Sequence, residues 1–163
     1  MKIVIAVDDS LYSAKVLESL SLRQWPIDTA FKIISVVQNA SPFESKNENW
    51  KEFEKLAFDR RKRLAIEICT QGKNLFKARL PHCNVHIDIR EGDPRDKIVE
   101  SAVEWMADKI LIGAHGRDLS DRVLWGGVSR AVATNAKCTV QIVRPARAHK
   151  DEKQSHKEAV IVI

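Results

Sequence analysis

The chain has 163 residues, 44% hydrophobic and 30% charged, which suits one globular domain with a single core and excludes a disordered chain. No apolar run approaches the roughly eighteen residues of a spanning helix, and the opening "MKIVIAVDDS" has neither the length nor the cleavage site of a signal peptide, so a cytoplasmic protein with no membrane partner is expected. The net charge of +5 favours anionic partners without pointing to nucleic acid, because the densest basic run, Arg60 to Arg63, lies among acids in a helical pattern and reads as a solvated helix face.

"KIVIAV" reads as a first strand buried on both faces. Ser10 is then a helix N-cap, and Leu11, Ala14, Val16, Leu17, Leu20 and Leu22 follow at mostly helical spacings as an inward face. A turn at "WPIDTA" leads into a second apolar strand, "FKIISVVQ", and Asn39 to Asn49 form a polar loop. A charged amphipathic pattern from Trp50 to Leu80 predicts a long helix, interrupted near Gly72. "HCNVHIDIR" alternates strictly, with Cys83, Val85, Ile87 and Ile89 on one face and His82, Asn84, His86, Asp88 and Arg90 on the other. That pattern predicts a half-buried strand at a sheet edge.

"GDPRDKIVESAVEWMAD" is a turn followed by an amphipathic helix with Ile98, Val99, Ala102, Val103 and Met106 inward. "KILIGA" is a fourth strand, "GGVSRAVATNA" a helix, and "CTVQIVRP" a last strand closed by Pro145. Residues 146 to 158 are polar, and "AVIVI", Ala159 to Ile163, ends the chain as a short apolar segment. Strands alternating with helices imply an α/β fold: a single-domain, Rossmann-like, five-stranded parallel sheet with helices on both faces. Ligands in such folds bind beyond the carboxyl ends of strands, where the strand order reverses.

Cys69, Cys83 and Cys138 are widely spaced with no C-x-x-C, so they read as reduced, buried thiols. His82 and His86 on one strand stand roughly 13 Å apart, too far to ligate one ion. Trp50 and Trp125 have the chemistry to stack on a base, yet packing is the ordinary use of such residues. No metal site is expected.

Four of the six glycines fall between Gly113 and Ser129. Gly113 and Gly116 leave the fourth strand, and Gly126-Gly127 open a helix. Glycines at such an exit let main-chain N–H groups approach phosphates, and a helix start adds unpaired donors and a positive end. The spacing is neither G-x-G-x-x-G nor a P-loop. Without a lysine placed for terminal phosphates or a hydrolytic base, binding is favoured over turnover.

The spacing Gly113-x2-Gly116-x9-Gly126 resembles the motif of nucleotide-binding members of the universal stress protein family. The opening "IVIAVDDS", the block "EGDPRDKIVESAVEWMADKILIGAHG" and the closing "GGVSRAVATNAKCTVQIVRP" extend the resemblance over about residues 2 to 145. It implies strand order 3-2-1-4-5, a nucleotide domain over 1–145 with a C-terminal extension over 146–163, and a role in stress response. It implies ATP as ligand, with Mg²⁺ as an optional companion and ADP or AMP as alternatives, and weak ATP hydrolysis as the most an enzymatic reading allows. Asp8, with Val7 beside it, matches the acid at the adenosine ribose, and Val36 the backbone that borders adenine. Gly113, His115 and Gly116 match the loop around ribose and phosphates. Gly126, Gly127, Val128 and Ser129 match the helix start that holds the phosphate tail.

One position departs from the pattern. Gly127 stands where the family motif has Ser or Thr, which removes a hydroxyl donor to phosphate and keeps the N–H. A member that no longer binds nucleotide and works through protein contacts is therefore the rival reading. The resemblance also implies a homodimer through the last strand, Cys138 to Arg144, taken to be an open sheet edge, with an unidentified regulatory protein as a further partner. "AVIVI" is expected to add a strand to an exposed edge, of this chain or of its partner.

Overall fold

The computed structural model describes residues 1–38, 48–114, 126–144 and 160–162. Strands β1 (Lys2–Val7), β2 (Ala30–Val37), β3 (Asn84–Glu91), β4 (Lys109–Gly113) and β5 (Thr139–Val143) alternate with helices α1 (Leu11–Ser21), α2 (Glu48–Arg79), α3 (Pro94–Glu104) and α4 (Gly127–Asn135). The first five strands are parallel and ordered β3-β2-β1-β4-β5. A sixth strand, β6 (Val160–Val162), runs antiparallel along β5, with Val160 opposite Val143 and Val162 opposite Gln141.

Alternate residues of β1, β2, β4 and β5 enter two cores. Ile3, Ile5, Phe31, Ile33 and Leu111 pack with Val16, Leu17, Leu20, Cys69 and Phe76 under α1 and α2. Val4, Ala6, Ile34, Ile110 and Ile112 pack with Ile98, Ala102 and Val132 under α3 and α4. The continuous apolar runs of β1 and β4 follow from this, since both faces of those strands are covered.

Four expectations change. The long helix is unbroken at Gly72: an added Cβ there would lie 3.0 Å from the Cδ1 atoms of Ile33 and Leu17, so this glycine lets α2 press against β2 and α1. On α1, Leu11 is 85% and Leu22 69% exposed and Ala14 is also exposed, whereas Ser13 is buried. On α3, Val103 faces outward, Met106 lies exposed beyond the helix end at φ 52°, and buried Ser101 donates to Asp88 Oδ2 at 2.7 Å. In both helices the buried position is held by a hydroxyl with a hydrogen-bond partner, which apolar periodicity does not register. The fourth change concerns β5. It is not an open edge, because β6 pairs along its outer side, and the strand-forming tendency of Val160–Val162 is met within the same chain.

β3 is the edge strand at the other end of the sheet. Cys83, Val85, Ile87 and Ile89 join the α1–α2 core as the alternation predicts. On its second face Asp88 and Arg90 are half-buried, with Arg90 Nε donating to Asp88 Oδ2 at 2.9 Å.

A cavity at the carboxyl ends of the strands

The cavity forms where the strand order reverses, between β1 and its neighbours β2 and β4, as topology dictates for this class of sheet. Its volume is about 350 Å³, and its walls include Asp8, Val36, Gly113 and the turn Gly126 to Ser129. That size lies at the lower end of small-molecule sites.

Two turns aim helices at it. Gly92 has φ 128°, a conformation open to glycine alone at no steric cost. Its N–H donates to Val37 O at 3.0 Å, tying the turn to the end of β2. Asp93 then caps α3 by accepting from Arg95 N at 2.8 Å, with Pro94 in the first turn. This brings Pro94 and Ile98 into the cavity wall. At the other turn, Ala114 N–H donates to Val143 O at 3.1 Å and Gly126 N–H to Ala114 O at 2.9 Å. These bonds pin the start of α4 against the ends of β4 and β5.

The start of α4 has no side-chain cap on its amides, because its N-cap residue is Gly126. The Ser129 hydroxyl donates to Gly126 O at 3.0 Å and is buried, so its proton is committed to the main chain. An anion at this helix end meets main-chain donors and the positive end of the helix dipole. Neither glycine has a positive φ; Gly126 lies at φ −67°. A Cβ on Gly127 would meet nothing within 4 Å, whereas one on Gly126 would sit 3.4 Å from Ala114 O.

Asp8 lines the same cavity, just past the end of β1. Its Oδ1 accepts from Ser10 Oγ at 2.5 Å, Ser13 Oγ at 2.6 Å and Ser10 N at 3.2 Å. Ser10 Oγ also caps α1 by accepting from Ser13 N.

Of the residues singled out from sequence, Val7, Asp8, Val36, Gly113, Gly126, Gly127, Val128 and Ser129 all line this one cavity. The Val7 side chain belongs to the α1–α2 core, which leaves its main chain for the wall. His115, Gly116 and Trp125 lie outside the described residues. Trp50 is on α2, away from the cavity lining, and donates to Glu54. Ser13, Gln38, Pro94 and Ile98 are lining residues that sequence reasoning missed.

Among the described residues no group of three or more His, Cys, Asp or Glu is placed to hold a metal ion. No helix of the described residues is long and apolar enough to cross a membrane. Burial pushes the Cys69 thiol up to about 12, the behaviour of an inert core cysteine.

A family model described as the universal stress protein family matches residues 1–144. A universal stress protein of Methanothermobacter thermautotrophicus is 40% identical over 72 residues, 44% of this chain and 49% of that protein. The universal stress protein A homolog 2 of Coxiella burnetii is 32% identical over 81 residues, covering 50% of this chain and 55% of the relative. The chain thus spans about half the length of the curated relatives it matches. The universal stress protein UspA of Lactobacillus plantarum superposes with a TM-score of 0.70 at 19% identity, over 88% of this chain and 97% of that one. A universal stress protein solved in complex with cAMP superposes with a TM-score of 0.60 at 20% identity, over 90% and 98%. Likeness at these identities shows a shared fold.

Proposed function

The chain belongs to the universal stress protein family, and from that premise we propose that it binds an adenine nucleotide in the cavity between Asp8 and the start of α4. ATP is the proposed ligand, with ADP or AMP as alternatives. A magnesium ion arriving with ATP would be held by phosphates and water. We place the protein in the cytoplasm as a regulatory module of the stress response. It acts as a homodimer on the β5 side of the sheet, with a further regulatory protein as partner.

One observation carries the reading: a single cavity is lined both by a carboxylate able to accept from sugar hydroxyls and by an uncapped helix start able to take phosphate. The structural neighbour in complex with cAMP gives it further support. A second reading, in which the protein works through protein contacts with no nucleotide, is favoured by Gly127 alone.

Mass spectrometry of small molecules released from the natively purified protein, with calorimetric titration, separates the two. ATP is expected in the released fraction. Asp8→Ala is expected to weaken ATP and AMP by the same factor, on the order of tenfold, because the lost bonds are to the sugar. An empty protein that binds neither ligand at millimolar concentration would establish the second reading.

A further inference from the structure

Asp8 is fixed by a closed set of hydrogen bonds that the family motif does not explain. Its own N–H donates to Ser13 Oγ at 2.9 Å, and the Ser13 hydroxyl returns its proton to Asp8 Oδ1 at 2.6 Å. Ser10 Oγ gives its proton to the same oxygen at 2.5 Å while accepting from Ser13 N at 3.2 Å. A hydroxyl has one proton to give, so both serines spend theirs on Oδ1. Among the described residues nothing donates to Oδ2, and Asp8 and Ser13 both line the cavity.

We propose that Ser13 is a positioning residue: it locks the Asp8 carboxylate so that Oδ1 is saturated by the protein and Oδ2 is held out as the one acceptor for a ligand's vicinal diol. The inference rests on the nucleotide reading and adds to it the selection of sugar. A carboxylate oxygen accepts and cannot donate. The locked Oδ2 therefore rewards a ligand with two adjacent hydroxyls and gives nothing to one that lacks them. Holding the acceptor in one orientation before the ligand arrives removes an ordering cost from binding. Burial suits this role, since Ser13 is 8% exposed and sits on the first turn of α1 where a solvent-facing serine would be free to rotate. Ser10 shares the task but also caps α1, so its removal would disturb the helix as well.

The test uses the full chain, with ATP and 2′,3′-dideoxy-ATP as probes in calorimetric titration. Ser13→Ala is expected to weaken ATP about fivefold and leave dideoxy-ATP unchanged. In an Asp8→Ala background, adding Ser13→Ala is expected to change nothing further, because the group it positions is gone. Equal losses for the two probes, or an additive loss in the double variant, would make Ser13 a merely structural residue and overturn the proposal. Unchanged ATP binding by Ser13→Ala would overturn it equally. Failure of the wild-type chain to bind either probe overturns the nucleotide reading itself, and that result is distinct from the others.

Discussion

Gly126 and Gly127 are neighbours at the start of α4, yet serine should act on them in opposite directions. Gly126 is the N-cap, with φ −67° and ψ 157°, extended geometry that a serine adopts without strain. Its Cβ would make an ordinary to slightly tight contact, 3.4 Å from Ala114 O. A serine hydroxyl there would cap the first-turn amides that now have no side-chain partner. Gly126→Ser is therefore expected to raise stability by about a few tenths of a kcal/mol and to lower ATP affinity on the order of tenfold, because the hydroxyl competes with phosphate for the same donors. Gly127→Ser enters open space and adds a donor instead, so ATP should bind on the order of tenfold tighter. Adenosine, which has no phosphate, should be indifferent to both. Titrations with ATP and adenosine, alongside thermal melts, check this; an ATP-to-adenosine ratio that neither variant moves would make the glycine pair structural. Asp8 and these glycines were legible because a strand exit followed by an acid or glycines is a local pattern. Ser13 was hidden, since helical spacing puts Leu11 and Ala14 inward and treats a serine between them as solvated. Pro94 and Ile98 reach the cavity only through the fold, more than eighty residues from Asp8 in sequence.

At the level of elements, Gly72 is the test of how α2 fits its neighbours. A glycine inside a helix costs about 1 kcal/mol relative to alanine, so its presence at the start of the last quarter of a 32-residue helix calls for a packing reason. The reason is the approach of Ile33 and Leu17 to 3.0 Å from a notional Cβ. Gly72→Val should overfill this contact between α1, α2 and β2. A net loss of about 2 kcal/mol is expected, larger than the small gain in helix propensity. Urea unfolding should show a lower midpoint with an unchanged slope, and a variant as stable as wild type would mean the core yields there. The alternation of strands and helices, the N-cap at Ser10 and the edge position of β3 could all be read from periodicity and turn residues. Gly72 could not, because a glycine in a helical pattern looks the same whether it breaks the helix or packs it. The outward turn of Val103 was equally hidden: buried Ser101 bonding to Asp88 takes the inward place, and the partner comes from β3.

Over the whole molecule, the two ends of the sheet differ. β3 ends it as a parallel strand, whereas the β5 end carries an antiparallel strand drawn from the chain's own C-terminus. An open strand edge is a template for a second chain, and β6 occupies that template over Gln141 to Val143. The proposed homodimer on this side therefore has to form against an occupant, with β6 moving aside before two β5 edges meet. The pairing involves only three residues of β6, a short ladder that a second β5 can compete with. Deleting residues 159–163 frees the β5 edge, so the truncated chain is expected to dimerise more strongly than the full chain at equal concentration. Sedimentation velocity over a dilution series reads this as a boundary that stays dimeric to lower concentration after truncation. The same comparison separates two roles for the segment. If truncation weakens the dimer instead, β6 stabilises it by pairing with the partner's β5, and if it changes nothing, the β5 edge is not where the copies meet.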